Sequence, residues 1–330
     1  MRPCSPSRPI RRRESLRVLA SSAAALALPA VRAQDNTITV YVGAASSMDF
    51  CSRLIADQLR DALGRPAISV AKLGAGQRLA LGEAKRAAPD GRTLAFATTG
   101  PFAVYPHIYT KLDYDPDRDF TAIAGVSAFD VAVSVNPNSG INDLKQLVAW
   151  AKGKPGEAMF GSAPGNGSLS HFVGISINLA AGLAMPHVPY KDSGVGLVDL
   201  SAGRLPVMIT GLSAQVAMHR AGKIRLLAVS GDTRSPLVPE VPTLREAGLP
   251  VSATTSTGLF GPAGMAPDLV NRLHAALQPM FASASVKEKL AQQGMTLWPV
   301  TGAQLAASIV EERKRFETLV KASGYTPEAG

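Results

Sequence analysis

Two short segments join small residues to hydroxyls where a strand should give way to a helix. Gly43-Ala44-Ala45-Ser46-Ser47 precedes one helical apolar pattern, and Gly165-Asn166-Gly167-Ser168 precedes another that holds His171. Turns of this kind leave backbone N–H groups exposed at a helix N-terminus, where the helix dipole favours an anion. The hydroxyls of Ser46, Ser47 and Ser168 add donors. The chemistry on offer is recognition of a small anion. Small-residue turns also serve as plain connections, so residue types alone leave both readings open.

Bond-making chemistry has little to stand on. There is no GK(S/T) phosphate loop, no HExxH, no CxxC and no GxSxG. His107, His171, His187, His219 and His274 show no metal-ligand spacing. Ser170 and His171 are sequence neighbours, which does not set a hydroxyl against an imidazole as a triad requires. The acidic run Tyr114 to Asp119 is broken by Pro116 and lacks calcium-loop spacing. No catalytic residue, metal or cofactor is therefore expected. Cys4 lies in the leader and Cys51 is left alone, so no intramolecular disulfide is expected. Cys51 sits in an apolar helical pattern and reads as a buried, inert thiol.

The leader is residues 1–33. Arg11, Arg12 and Arg13 form a basic region, Val18 to Ala30 an apolar one, and Val31-Arg32-Ala33 a cleavage site. Arg12-Arg13-Glu14-Ser15-Leu16-Arg17 resembles a twin-arginine signal, with Ser15 where that pattern prefers an aromatic, so both export routes stay open. Cleavage after Ala33 and release into the periplasm are expected. The leader also carries seven of the 34 Lys+Arg and one of the 25 Asp+Glu, so the formal net charge of +9 falls to +3 (27 against 24) in the mature chain. No basic stripe interleaved with aromatics remains, which argues against nucleic acid as a partner.

The elements that must position the two turns alternate. Thr37 to Val42 reads as a strand, Cys51 to Ala62 as a helix closed by Gly64, and Ile68 to Lys72 as a strand. A helix from Gln77 to Ala88 and a strand from Leu94 to Thr98 follow. Alternation resumes with strands at Phe129–Val135, Met159–Ser162, His187–Val188, Leu205–Ile209 and Ile224–Ser230 and helices between them. This is α/β, with a parallel sheet whose strand ends carry the turns. The C-terminus is mostly helical, and Thr301-Gly302-Ala303-Gln304 reads as a capping box. Asn136 to Gly140 and Gly261 to Gly264 are rich in Pro and Gly and mark expected crossings between lobes.

A chain-long set of motifs adds to this reading. It runs Ala87-Ala88-Pro89-Asp90-Gly91-Arg92-Thr93-Leu94, Tyr109 to Phe120, Lys154-Pro155-Gly156, Gly165 to Ser168 with His171, and His187-Val188-Pro189-Tyr190-Lys191. Val238-Pro239-Glu240-Val241-Pro242-Thr243, Glu246-Ala247-Gly248 and Gly258 to Gly264 complete it. In order and spacing these resemble the solute receptors of tripartite tricarboxylate transporters, the Bug-type family. The resemblance implies a two-lobed periplasmic binding protein, type II-like, with the ligand cleft between lobes. It implies residues 34–134 and 256–330 in the first lobe and 135–255 in the second. It implies a small carboxylate as ligand, held by amides, hydroxyls and water, and membrane transporter subunits as partners of a monomer. A sensing subunit that serves a sensor kinase is the alternative.

The expected ligand contacts are Ala44, Ala45, Ser46, Ser47 and Asp49 at the first turn, and Thr98 and Thr99 at a strand end. Gly165, Asn166, Gly167 and Ser168 are expected at the second turn, with Tyr190, Asp192 and Ser193 beyond it. Asp49 reads more readily as a helix-stabilising carboxylate than as a ligand contact, and Tyr190 equally as the end of a strand. The chain departs from the family's pattern at Ala45-Ser46, in place of a glycine pair, and at Gly76-Gln77-Arg78, which brings a cation near the cleft. Asp192 also stands where glycine is common and can repel an anion or grip an amino group.

Overall fold

The computed structural model describes residues 36–44, 47–163, 165–323 and 325–328. The expected leader and cleavage site, and Ala45 and Ser46 of the first turn, lie outside them. Strand β1 (Ile38–Val42) buries alternate residues, Ile38, Val40 and Val42. Helix α1 (Ser47–Leu63) sets Cys51, Ile55 and Leu59 one turn apart on its buried face, and Gly64 ends it with φ 62°. Strand β2 (Ala67–Ala71), helix α2 (Arg78–Lys85) and strand β3 (Thr93–Thr98) follow, with β1 parallel to both β2 and β3. Two single-turn helices come next, α3 (Gly100–Ala103) and α4 (Tyr105–Ile108).

Strand β4 (Phe120–Val135) is 16 residues long, although the sequence pattern announces only its second half. Ala122, Ala124, Gly125 and Ser127 in the first half have weak strand propensity. Pairing holds them extended instead, against β9 on one edge and β10 at residues 127–129. Beyond β4 the alternation runs α5 (Leu144–Gly153), β5 (Phe160–Ser162), α6 (Leu169–Ala181), β6 (His187–Pro189) and α7 (Ser193–Ser201). It continues through β7 (Val207–Gly211), α8 (Leu212–Arg220) and β8 (Arg225–Val229). The chain then returns through β9 (Thr254–Pro262), α9 (Pro267–Ala282), α10 (Ala284–Gln292), β10 (Met295–Leu297) and α11 (Gly302–Ser323). The capping box at α11 is present: the Thr301 amide donates to Gln304 Oε1 and the Gln304 amide to Thr301 Oγ1.

Strand order is β2-β1-β3-β9-β4-β7-β5-β6, with β10 and β8 also paired to β4. One strand thus serves two α/β halves, each with its own apolar core. Ile38, Ile55, Phe96 and Leu277 anchor one, and Val133, Leu147, Phe160 and Ile209 the other. A smaller cluster of Val104, Ile108, Phe172 and Phe316 joins the halves.

The hand-over occurs inside β4. Asp130 is the last residue paired with β9, opposite Thr254, and Val131 the first paired with β7, opposite Gly211. The Pro/Gly-rich stretches are not the crossings, because continuous strand pairing carries the chain across instead. Ser230 knits the crossing strands: its amide donates to Val131 O (2.9 Å) and its carbonyl accepts from the Ala253 amide (2.8 Å). Asp130 accepts from Thr254 Oγ1 at 2.9 Å, and burial raises its pKa.

Candidate ligand-binding cleft

A cavity of about 460 Å³ lies between the halves. Helices from both halves begin at its wall. Ser47 and Met48 of α1 come from the first half. Leu169 and Ser170 open α6, and Gly211, Ser213 and Ala214 open α8, both from the second half. Helix α8 has no side-chain cap, because its N-cap residue is Gly211. In α6 the first-turn amides of Leu169 and Ser170 have no acceptor among the described residues. Unsatisfied N–H groups at a helix start carry a partial positive charge, so both termini offer donors to an anion.

The second turn is itself tightly bonded. Ser168 is the N-cap of α6: its Oγ accepts from the His171 amide (3.2 Å) and donates to Gly165 O (2.8 Å). The Gly167 amide donates to His171 Nδ1 at 3.2 Å. Sequence reasoning offered the Ser168 hydroxyl as a donor to the anion, but its single proton already goes to Gly165. The turn therefore shapes the wall and presents α6, while the free donors sit one and two residues later.

Two histidines lie behind this turn, stacked with centroids 3.9 Å apart. His187 Nε2 is 2.7 Å from Ser162 Oγ, a contact that the sequence did not announce. Burial holds the pKa of His171 down at about 3 and that of His187 at about 4, and His187 adds to the depression at His171. Ser162 is fully buried, so this pair supports the turn and presents no nucleophile to solvent.

On the opposite wall, Gly74, Ala75, Gly76 and Gln77 all have positive φ (127°, 45°, 59° and 75°). Gln77 spends its side-chain amide on Thr98: Nε2 donates to Thr98 Oγ1 (2.7 Å), and Oε1 accepts from the Thr98 amide (3.0 Å). Gly43 packs against this segment so closely that a methyl group there would lie 2.5 Å from Gln77 Cα. Arg78 does not line the cavity. Its Nε donates to Ala75 O, and its guanidinium stacks 4.7 Å from the ring of Tyr109, which does. No lysine, arginine or histidine is among the described residues of the wall, and its one carboxyl group belongs to Glu312.

Of the expected contacts, Ala44, Ser47, Thr98, Asn166, Gly167, Ser168 and Ser193 line the cavity. Ala45 and Ser46 lie outside the described residues, and the remaining five do different work. Asp49 pairs with Arg53 on the exposed side of α1. Gly165 accepts the two serine hydroxyls, Ser162 and Ser168. Tyr190 donates to Asp199 Oδ2 (2.9 Å) and packs on Gly161 and Gly196. Asp192 caps α7 through the Gly194 amide (2.7 Å). Thr99 is fully buried. The α8 start and Glu312 were missed. Ile209-Thr210-Gly211-Leu212-Ser213 carries the same strand-to-helix signature as the two turns. Glu312 has no local signal at all, because it reaches the cleft from the middle of a long C-terminal helix.

A sequence model of the tripartite tricarboxylate transporter family receptors matches residues 51–325. The chain belongs to that family. A UPF0065 protein of Bordetella bronchiseptica is 31% identical over 316 residues, covering 94% of this chain and 93% of its own. Among solved structures, MatC from Rhodopseudomonas palustris with bound malate is 30% identical, with a TM-score of 0.74 over 86% of this chain and 98% of that one. A second R. palustris protein, solved with adipate, is 26% identical, with a TM-score of 0.80 over 88% and 98%. The receptor thus has the two-lobed α/β fold of periplasmic binding proteins, with the cleft between the lobes. No helix among its described residues is long and apolar enough to cross a membrane.

Proposed function

We propose that this receptor captures a small carboxylate in the periplasm and delivers it to the membrane subunits of a tripartite tricarboxylate-type transporter, without chemistry on the ligand. The observation that carries the reading is the convergence of the α6 and α8 N-termini on a cavity walled without a basic side chain. A carboxylate there takes its hydrogen bonds from backbone amides. Hydroxyls of Ser47, Thr98 and Ser193 line the remainder. The malate and adipate held by the two R. palustris proteins support the same ligand class. The lobes are residues 34–130 with 254–330, and 131–253, a few residues from the bounds expected from the sequence (34–134 with 256–330, and 135–255), following cleavage after Ala33. The receptor acts as a monomer.

A thermal-shift screen of mature protein against mono-, di- and tricarboxylates, with amines and neutral sugars as controls, tests the reading. Stabilisation by carboxylates alone supports it. Stabilisation by sugars or amines that lack a carboxylate overturns it.

A further inference from the structure

Glu312 faces the cleft from α11 with no cation to answer it. No hydrogen bond or ion pair to its carboxyl group from a basic side chain exists among the described residues. Arg315, three residues on, is exposed, forms no ion pair with it, and exerts the smallest of the influences on it. The Thr99 hydroxyl adjoins Glu312 and steadies its charge, yet it is fully buried and completes no hydrogen bond of ordinary geometry. Phe316, one turn along α11, and Val104 leave the surroundings apolar. Burial accordingly pushes the Glu312 pKa up.

A carboxyl group left this way is costly in an anion receptor. It repels the ligand that the helix termini attract, and no cationic donor answers it among the described residues. Both costs vanish if the ligand itself brings a cationic donor. The cavity is then bipolar. Amides of Leu169, Ser170 and Ala214 form a positive pole, and the Glu312 carboxylate forms a negative one.

We propose that Glu312 is a specificity-determining residue that selects ligands bearing an ammonium group in addition to the carboxylate held by the helix termini. The inference rests on the carboxylate reading above and narrows it. The ammonium group donates to the Glu312 carboxylate, and the carboxylate of the same molecule accepts from the α6 and α8 amides. Zwitterionic amino acids have this chemistry, and the corresponding acids without nitrogen do not.

The test is titration calorimetry on the full mature protein with matched probes at neutral pH. The pairs are succinate and aspartate, glutarate and glutamate, propionate and alanine, and 3-phenylpropionate and phenylalanine. Members of a pair differ by one ammonium group. In the parent, the aminated member of the binding pair is favoured. Glu312→Gln, which keeps the shape and removes the charge, weakens that member about tenfold to a hundredfold and leaves the plain acid unchanged or tighter. Glu312→Asp, which retains the charge one methylene further back, gives an intermediate loss.

A plain acid that binds as well as its aminated partner, in both parent and Glu312→Gln, overturns this inference and leaves the carboxylate reading standing. So does a dicarboxylate that gains affinity on acidification in the parent but not in Glu312→Gln, because Glu312 then shares a proton with the ligand. Absence of binding by every carboxylate in the panel overturns the carboxylate reading and this inference together.

Discussion

Ser168 separates two roles that its position invites one to merge. As N-cap it holds the α6 start through the His171 amide, and as part of the wall it lines the cavity proposed to hold the anion. Ser168→Ala removes the cap and should cost about 1 kcal/mol of stability, read as a Tm loss of about 2–4 °C for a chain of this size. Its affinity for a carboxylate should change less than tenfold. Ser168→Asp retains a good cap, so Tm should hold, but it places a negative charge at the mouth of α6. Carboxylate affinity should fall by about tenfold or more. Titration calorimetry beside thermal melts distinguishes the pair. If Ser168→Asp binds like the parent, the helix termini do not hold the anion.

The histidine pair gives a pH dependence with a definite sign. His171 and His187 have folded pKa values of about 3 and about 4, below the ordinary histidine value of about 6.5. A depressed histidine favours the neutral folded form. Its contribution is therefore fully present above the unfolded pKa and is lost as pH falls from about 6.5 toward the folded values. Protonation of His171 at Nδ1 also removes the acceptor of the Gly167 amide. Melts of the parent should lose several degrees between about pH 7 and pH 4.5. His187→Phe, which keeps the stack and removes one titrating group, should flatten that slope. An equal slope in both proteins would place the acid sensitivity elsewhere.

Elements differ in how openly the sequence displays them. Cys51, Ile55 and Leu59 make α1 legible by period, and Gly64 marks its end. The Thr301–Gln304 box likewise announces α11. The first half of β4 was hidden because Ala, Gly and Ser there carry no strand pattern, and the pairing that extends them comes from residues more than a hundred positions away. The two segments proposed as the anion wall were visible as types. Their division of labour was not, because the Ser168–Gly165 and Gly167–His171 bonds appear only once the turn is built. The Gly74–Gln77 segment shows the same limit. In sequence Gln77 gives no sign of its backbone conformation, and in the fold it turns left-handed and clamps Thr98 with two bonds. Replacing it tests that account in a direction opposite to ordinary expectation. Gln77→Ala loses both bonds and retains the left-handed strain, whereas Gln77→Gly loses the bonds and the strain together. The glycine variant should be more stable by about 1 kcal/mol in urea titration. An alanine variant as stable as the glycine one would show that the segment relaxes.

For the whole molecule, the decisive fact is that the residues lining the cavity come from both lobes. A ligand that touches Ser47 or Thr98 on one side and the α6 or α8 start on the other favours the closed arrangement over the open one. Other contacts already span the gap. Asn166 Nδ2 donates to Glu328 Oε1 (2.9 Å), Gly167 packs directly on Ile108 Cδ1, and Gly294 sits against Ser213. Small-angle scattering should show a smaller radius of gyration with saturating ligand than without. An unchanged radius would mean that the lobes do not open in solution.

The pairing of Asp130 with Thr254 has a consequence for how such a chain can be cut and rejoined. Directly opposed residues of antiparallel strands have Cα atoms about 5 Å apart. The 123 residues between them therefore leave and re-enter at almost one point. In the logic of gene architecture, residues 131–253 are a cassette seated in a host, and a two-residue Asn-Gly turn is long enough to heal the excision. The healed host retains the apolar core built on Ile38, Ile55 and Leu277. It should melt cooperatively by circular dichroism while binding no carboxylate, since α6 and α8 depart with the cassette. Recombination at that single seam would exchange the amide-bearing wall for another and leave the lobe that carries Glu312 as inherited.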